Sequence, residues 1–168
     1  MVARFTTRYR TLCVLLGTML LYAWASIALW YDTTRDQTES ARSSWKRIGA
    51  SGFNLAVPQG IYEYEVQGID SEMGAFRNRR IEIHYDRGVH ASDLSEWTGK
   101  QGSQMEGVEI DGKKGTLAMC VEKDNYVAGI AFRDAFAERD HLTVSAHCAD
   151  AKAHAVAVEI LRSIRFSE

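Results

Sequence analysis

Apolar residues recur at every second position through most of the chain beyond residue 52, and that period is the signature of half-buried β-strands. Phe53, Leu55 and Val57 alternate with Asn54 and Ala56 and stop at Pro58, while Ile81, Ile83 and Tyr85 alternate with Glu82, His84 and Asp86. Tyr62, Tyr64 and Val66 form a shorter third run. Val108 and Ile110 lead into Asp111-Gly112, a pair that favours the tight turn of a hairpin, and the chain returns through Leu117, Met119 and Val121. Lys123-Asp124-Asn125 marks another turn before Val127 to Phe132, and Leu142, Val144 and Ala146 supply one more strand. Links this short join neighbours, so a three- or four-stranded antiparallel meander is expected.

The end of the chain has a different period. From Asp150, a good N-cap, Ala153, Val156, Ala157, Ile160, Leu161 and Ile164 recur at helical spacing while Lys152, Glu159 and Arg162 take the opposite side. That helix should lie on the sheet. A shorter helix is expected to start at Ser92 with Leu94 and Trp97 on its buried side, and one more helical turn is expected at 70–74. The class is therefore α+β.

Ahead of the domain, Thr11 to Tyr31 are 21 residues without a charge and mostly apolar. A helix of that length, at about 1.5 Å per residue, matches a hydrocarbon core about 30 Å thick. Arg4, Arg8 and Arg10 precede it, whereas Asp32, Arg35, Asp36 and Glu39 follow, and Tyr22, Trp24, Trp30 and Tyr31 crowd its outer half. The positive-inside bias then gives a cytoplasmic tail at 1–10, a single transmembrane helix at 11–31, a polar linker at 32–49 and an extracytoplasmic domain at 50–168. The location expected is the bacterial inner membrane, single-pass, with the domain in the periplasm. Ala23-Trp24-Ala25 also fits a signal-peptide cleavage site, a reading that likewise exports the domain.

Charge follows the same division. The whole chain carries −2, but residues 1–31 contribute +3, and residues 32–168 carry 17 basic and 22 acidic side chains, a net of −5. An acidic exported domain is a poor partner for nucleic acid and favours a cationic face on another protein. Three cysteines are too few for a disulfide-rich miniature scaffold.

The first strand ending in proline (FNLAVPQG), the central antiparallel strands and the closing helix (AVEILRSIRF) together resemble the PsbP-like α/β sandwich of exported bacterial proteins, over residues 52–166. The resemblance implies a curved antiparallel sheet flanked by helices, used as a binding or accessory module. It carries over no catalytic residue.

Four sets of side chains are candidates for chemistry. In Gly68-Ile69-Asp70-Ser71-Glu72-Met73-Gly74 two acids flank a serine between glycines, which suits either ligand capture at a loop or a helical cap and turn; the G-x-S-x-G context of a nucleophilic serine is missing. His84 shares a strand face with Glu82 and Asp86, and His141 and His147 share one with Thr143 and Ser145, so imidazoles and carboxylates would converge if the two strands were neighbours. Without His-x-x-x-His or Cys-x-x-Cys no metal site or cofactor is expected. Arg77, Arg79 and Arg80 form a basic cluster able to hold an anionic group, or simply a solvated turn.

Cys120 and Cys148 would face an oxidising compartment, and a bridge closing the 27 residues between them would contribute about 3 kcal/mol in the chain-entropy model. Strand alternation argues against the bridge, because Cys148 continues the face of Leu142, Val144 and Ala146 whereas Cys120 lies opposite that of Leu117, Met119 and Val121.

The function expected is a non-enzymatic, membrane-anchored domain that binds a protein partner in the periplasm. It would be an immunity protein neutralising a toxin delivered there, or an accessory subunit of an envelope or secretion machine. The alternative is a small-ligand binder or enzyme using the 68–74 loop with His84 or Asp86.

Overall fold

The alternating runs become antiparallel strands in the computed structural model, which describes residues 44–167 apart from 51, 69, 101, 123 and 124. Strands β1 (Lys46–Ala50), β2 (Phe53–Val57) and β10 (Arg165–Phe166) form a small sheet in the order β1-β2-β10. Strands β3 (Tyr62–Tyr64), β4 (Glu72–Arg77), β5 (Ile81–Gly88), β6 (Ser103–Ile110), β7 (Lys113–Glu122), β8 (Asn125–Phe132) and β9 (His141–Cys148) form a seven-stranded sheet in the order β3-β4-β5-β9-β8-β7-β6. One α-helix, α1 (Ala151–Arg162), follows β9.

The order explains the meander and extends it. β6 to β9 are joined by short links, as the sequence suggests, and β9 then closes against β5 along its whole length, from Ile81 opposite Cys148 to Gly88 opposite His141. The segment 89–102 must therefore carry the chain from β5 across the sheet to its far edge. At the β6–β7 hairpin Asp111 (φ 52°) and Gly112 (φ 76°) both adopt positive φ, the requirement of the turn that Asp-Gly satisfies at low steric cost.

The two faces of the large sheet are unlike. On one, Phe76, Ile81, Ile83, Leu117, Ile130, Phe132, Leu142 and Val144 meet Phe53, Leu55 and Val57 of β2 and Ala157, Ile160 and Leu161 of α1 in a single buried core. Full burial of each large side chain there contributes about 1.5–3 kcal/mol. Phe53 meets Tyr85 edge to face at 5.4 Å, and Phe132 meets Phe166 at 5.1 Å. α1 begins at Asp150, whose carboxylate accepts from the Ala153 backbone N–H at 2.9 Å, and its C-terminal Ser163 hydroxyl accepts from the Ala56 N–H at 2.8 Å, fastening helix to small sheet.

On the other face, only the crossover segment adds cover among the described residues. Leu94 is buried and Trp97 partly so, over Ala118 and Ala131, and the Thr143 hydroxyl donates to the Ser92 carbonyl.

These observations correct the expected architecture. The described chain is a mostly antiparallel β-structure with one α-helix rather than a sheet flanked by helices. Residues 70–74 make no helical turn: Glu72 onward pairs with β5, because Gly74 lets the Tyr85 ring lie across the strand. The Ser92 helix reduces to a three-residue 3-10 turn, Ser95–Trp97. Leu94 enters it at φ 62°, and Ser92 and Asp93 hydrogen-bond the backbone N–H groups of Leu94 and Ser95, a local pairing that competes with helix. Residues 46–49, read as the end of the linker, belong to β1. No helix among the described residues is long and apolar enough to cross a membrane, and the span expected at 11–31 lies outside the described residues.

Candidate functional site on the open sheet face

Register builds the site. Tyr64 pairs with Ala75, Ala75 with His84, and His84 with Ser145, so four strands place these side chains in one row across the face that the other described elements leave open. Ala75 is small and buried, and the rings on either side of it meet above: Tyr64 and His84 lie edge to face with centroids 6.1 Å apart. One row along, Tyr62, Arg77, Glu82 and His147 are aligned in the same manner, and Met73, Asp86 and Thr143 make a third row.

Glu82 is the hub. The Tyr64 hydroxyl donates to its Oε1, and His84 Nε2 lies 3.1 Å from the same oxygen and 3.3 Å from the Tyr64 hydroxyl oxygen. The Tyr64 bond, with smaller help from His84 and Arg77, holds the Glu82 carboxyl below its usual range. Burial and the adjacent Glu82 push the Tyr64 phenol up. At neutral pH this is an ionised carboxylate fixed by a neutral phenol. Neither group is tuned toward 7, as a general base would be, and the set suits holding donors offered by another molecule. Arg77 adds a cation whose guanidinium carbon stands 4.5 Å from the Tyr64 ring centroid and 6.0 Å from that of Tyr62. The His84 and His147 rings lie 6.3 Å apart.

The candidate residues separate. His84 and Asp86 are on this face and the strands bearing His84 and His147 are neighbours, but no three His, Cys, Asp or Glu side chains among the described residues are grouped to hold a metal ion. Of the 68–74 loop, Glu72 pairs opposite Arg87 and by alternation faces the core side, away from His84 and Asp86. Asp70 is exposed, and Ser71 lies against Gly88 at the end of β5. The three arginines share the lining of one open hollow with Tyr62 and Glu82, but only Arg77 stacks on Tyr64, and Arg80 also pairs with Asp150 at the start of α1.

Cys120 and Cys148 are free and buried, on opposite faces of the sheet as their alternation requires. Sequence reasoning missed Tyr64 and Trp97 as site residues. The signal available for Tyr64 was Ala75, a small residue between Met73 and Arg77 on one strand face, since such a gap is where an aromatic ring can lie.

No protein-family model matches the chain, and no curated protein matches it. Among solved structures, a 1.50 Å crystal structure from Bacteroides thetaiotaomicron VPI-5482 is similar at 13% identity with a TM-score of 0.47; the match covers 74% of this chain and 49% of that one, so the chain spans about half its length. Nothing in these comparisons links the chain to PsbP-like domains.

Proposed function

We propose that the domain is a non-enzymatic binding module of the bacterial envelope, facing the periplasm, that holds a protein partner on the open face around Tyr64, Arg77, Glu82 and His84. The observation that carries the reading is the Tyr64–Glu82–His84 cluster with Arg77 stacked beside it. Aromatic and arginine side chains held by rigid strands and by one another lose little freedom on binding, and these residue types are enriched at the energetic centres of protein interfaces. Tyr62, 54% exposed at the sheet edge, continues the surface. The periplasmic location rests on the charge contrast between residues 1–31 and 32–168. An immunity protein and an accessory subunit of an envelope machine are the two forms this function takes.

Co-purification of the tagged full chain from native membranes tests it. The expected result is one enriched protein, retained by a control substitution on the exposed side of α1, Lys152→Ala, and lost with Tyr64→Ala or Arg77→Glu. A partner held equally by both site variants overturns the assignment of the surface. Deletion of the gene then separates the forms: an immunity protein becomes dispensable once its toxin is removed.

A further inference from the structure

Beside the Tyr64 cluster and sharing His84 with it, beneath the crossover segment, is a cavity of about 200 Å³. Its floor is sheet, with Met73, His84, Asp86 and Ser145, and its roof is the 3-10 turn with Glu96 and Trp97. Asp86 is the unusual member. Neither carboxylate oxygen has a hydrogen-bond or ion-pair partner among the described residues; Oδ1 is shut off from solvent, so Oδ2 is the oxygen a ligand reaches. A carboxylate oxygen left without a donor is costly. Nearby polar groups do not remedy this: the Thr143 hydroxyl is committed to the Ser92 carbonyl, and the Ser92 hydroxyl to Glu96 at 2.9 Å.

The geometry points to a binding site for a small primary ammonium group, with Asp86 as its counter-ion and Trp97 as its aromatic wall. Charge selects a cation, because Asp86 and Glu96 line the cavity against one imidazole, His84, and no lysine or arginine. The thioether and indole select an organic cation over a metal ion, and the indole face adds cation–π attraction. Asp86 and the Ser145 oxygen accept hydrogen bonds, so an ammonium with N–H donors fits better than a quaternary one. The volume is smaller than a typical drug-sized pocket of about 300–1,000 Å³, so the occupant is a short alkylamine or the end of a lysine side chain.

Titration of the full chain with n-butylammonium, followed by calorimetry and by the Trp97 indole N–H resonance, tests the proposal independently of any partner. Saturable binding is expected, with tetramethylammonium weaker and Asp86→Asn lowering affinity about tenfold or more. Because the Asp86 carboxylate has no partner to lose, Asp86→Asn should fold with an unchanged or higher Tm; Trp97→Phe, which keeps an aromatic wall, is the second variant and should bind more weakly than the parent. Nα-acetyl-lysine N-methylamide distinguishes the sources: binding as tight as butylammonium supports a lysine side chain as occupant, and failure of this probe alone supports a free amine. No saturable butylammonium binding, or binding unaffected by Asp86→Asn, overturns the proposal.

Discussion

Arg87 grips Asp140 through two nitrogens: Nε lies 3.0 Å from Oδ1, and Nη2 lies 2.7 Å from Oδ2. The same guanidinium carbon stands 3.8 Å from the Phe136 ring centroid. One side chain thus fastens the end of β5 to the loop that feeds β9, the strand β5 pairs with. Only 22% of the Arg87 side chain and 25% of the Asp140 side chain is exposed, so this pair is less screened than a surface one.

Asp140→Asn should therefore destabilise the fold by about 1–3 kcal/mol at neutral pH, with the Arg87 charge left half-buried. The hydrogen bond from Arg87 is the main cause holding the Asp140 carboxyl below its ordinary range. A carboxyl lowered on folding contributes stability that is complete above its unfolded pKa, about 3.9, and that vanishes as pH falls through the folded value. Urea midpoints of parent and variant should differ at pH 7, begin to converge below the unfolded pKa and meet only below the lower folded one. A gap that persists unchanged in acid would show that the charge pair is not its source.

Gly74→Ala should cost about 1–3 kcal/mol by overpacking, because a methyl group there would stand 2.3 Å from the Tyr85 ring, which is wedged between Phe53 and Phe76. Gly49→Ala in β1 is the control. Nothing lies within 4 Å of the added carbon, so the change should be neutral or stabilising. Denaturant melts of the two variants check the contrast, and equal effects would mean that Tyr85 moves aside freely.

The same residue shows where the sequence stopped being legible. Alternation located β2, β5, β7 and β9 and the face each side chain takes, because a period of two survives any strand order, and β8 followed from its turn and apolar run. Helical spacing and Asp150 located α1. Strand order is set by long-range contacts, and nothing local states that β9 lies beside β5, so the row from Tyr64 to Ser145 could not be assembled. Gly74 suggests the end of a helical turn because glycine breaks helices, whereas in the fold it makes room for a ring brought in by the neighbouring strand. Leu94 misled in a similar way, since its apolar side chain fits a helix face while its backbone is left-handed.

Cys148 should resist alkylation in the folded protein. Burial, with a smaller contribution from Asp150, pushes its thiol up to about 11, so very little thiolate exists at neutral pH. Iodoacetamide followed by peptide mass spectrometry should show Cys148 unlabelled in native buffer and labelled in denaturant without prior reduction. A requirement for reduction would reveal a bridge and demand that Cys120 and Cys148 leave opposite faces of the sheet.

Tyr64→Phe tests whether the open-face cluster acts as one unit. The Tyr64 hydroxyl is the largest influence lowering the Glu82 carboxyl, ahead of His84 and Arg77. Removing one oxygen while keeping the ring should raise the Glu82 pKa toward the unperturbed value of about 4.3, whereas Arg77→Gln should move it less. Carbon-detected NMR titration of the Glu82 carboxyl reads the shift directly, independently of any partner. The sign also reaches stability: a lowered carboxyl favours the fold above its unfolded pKa, so Tyr64→Phe should weaken the acid dependence of unfolding as well. Glu82 is 43% exposed, and solvent screening keeps that effect small. The titration is the sharper measurement, because an unmoved Glu82 would mean that Tyr64 does not fix the carboxylate, and the surface would lose the rigid acceptor on which its binding role rests.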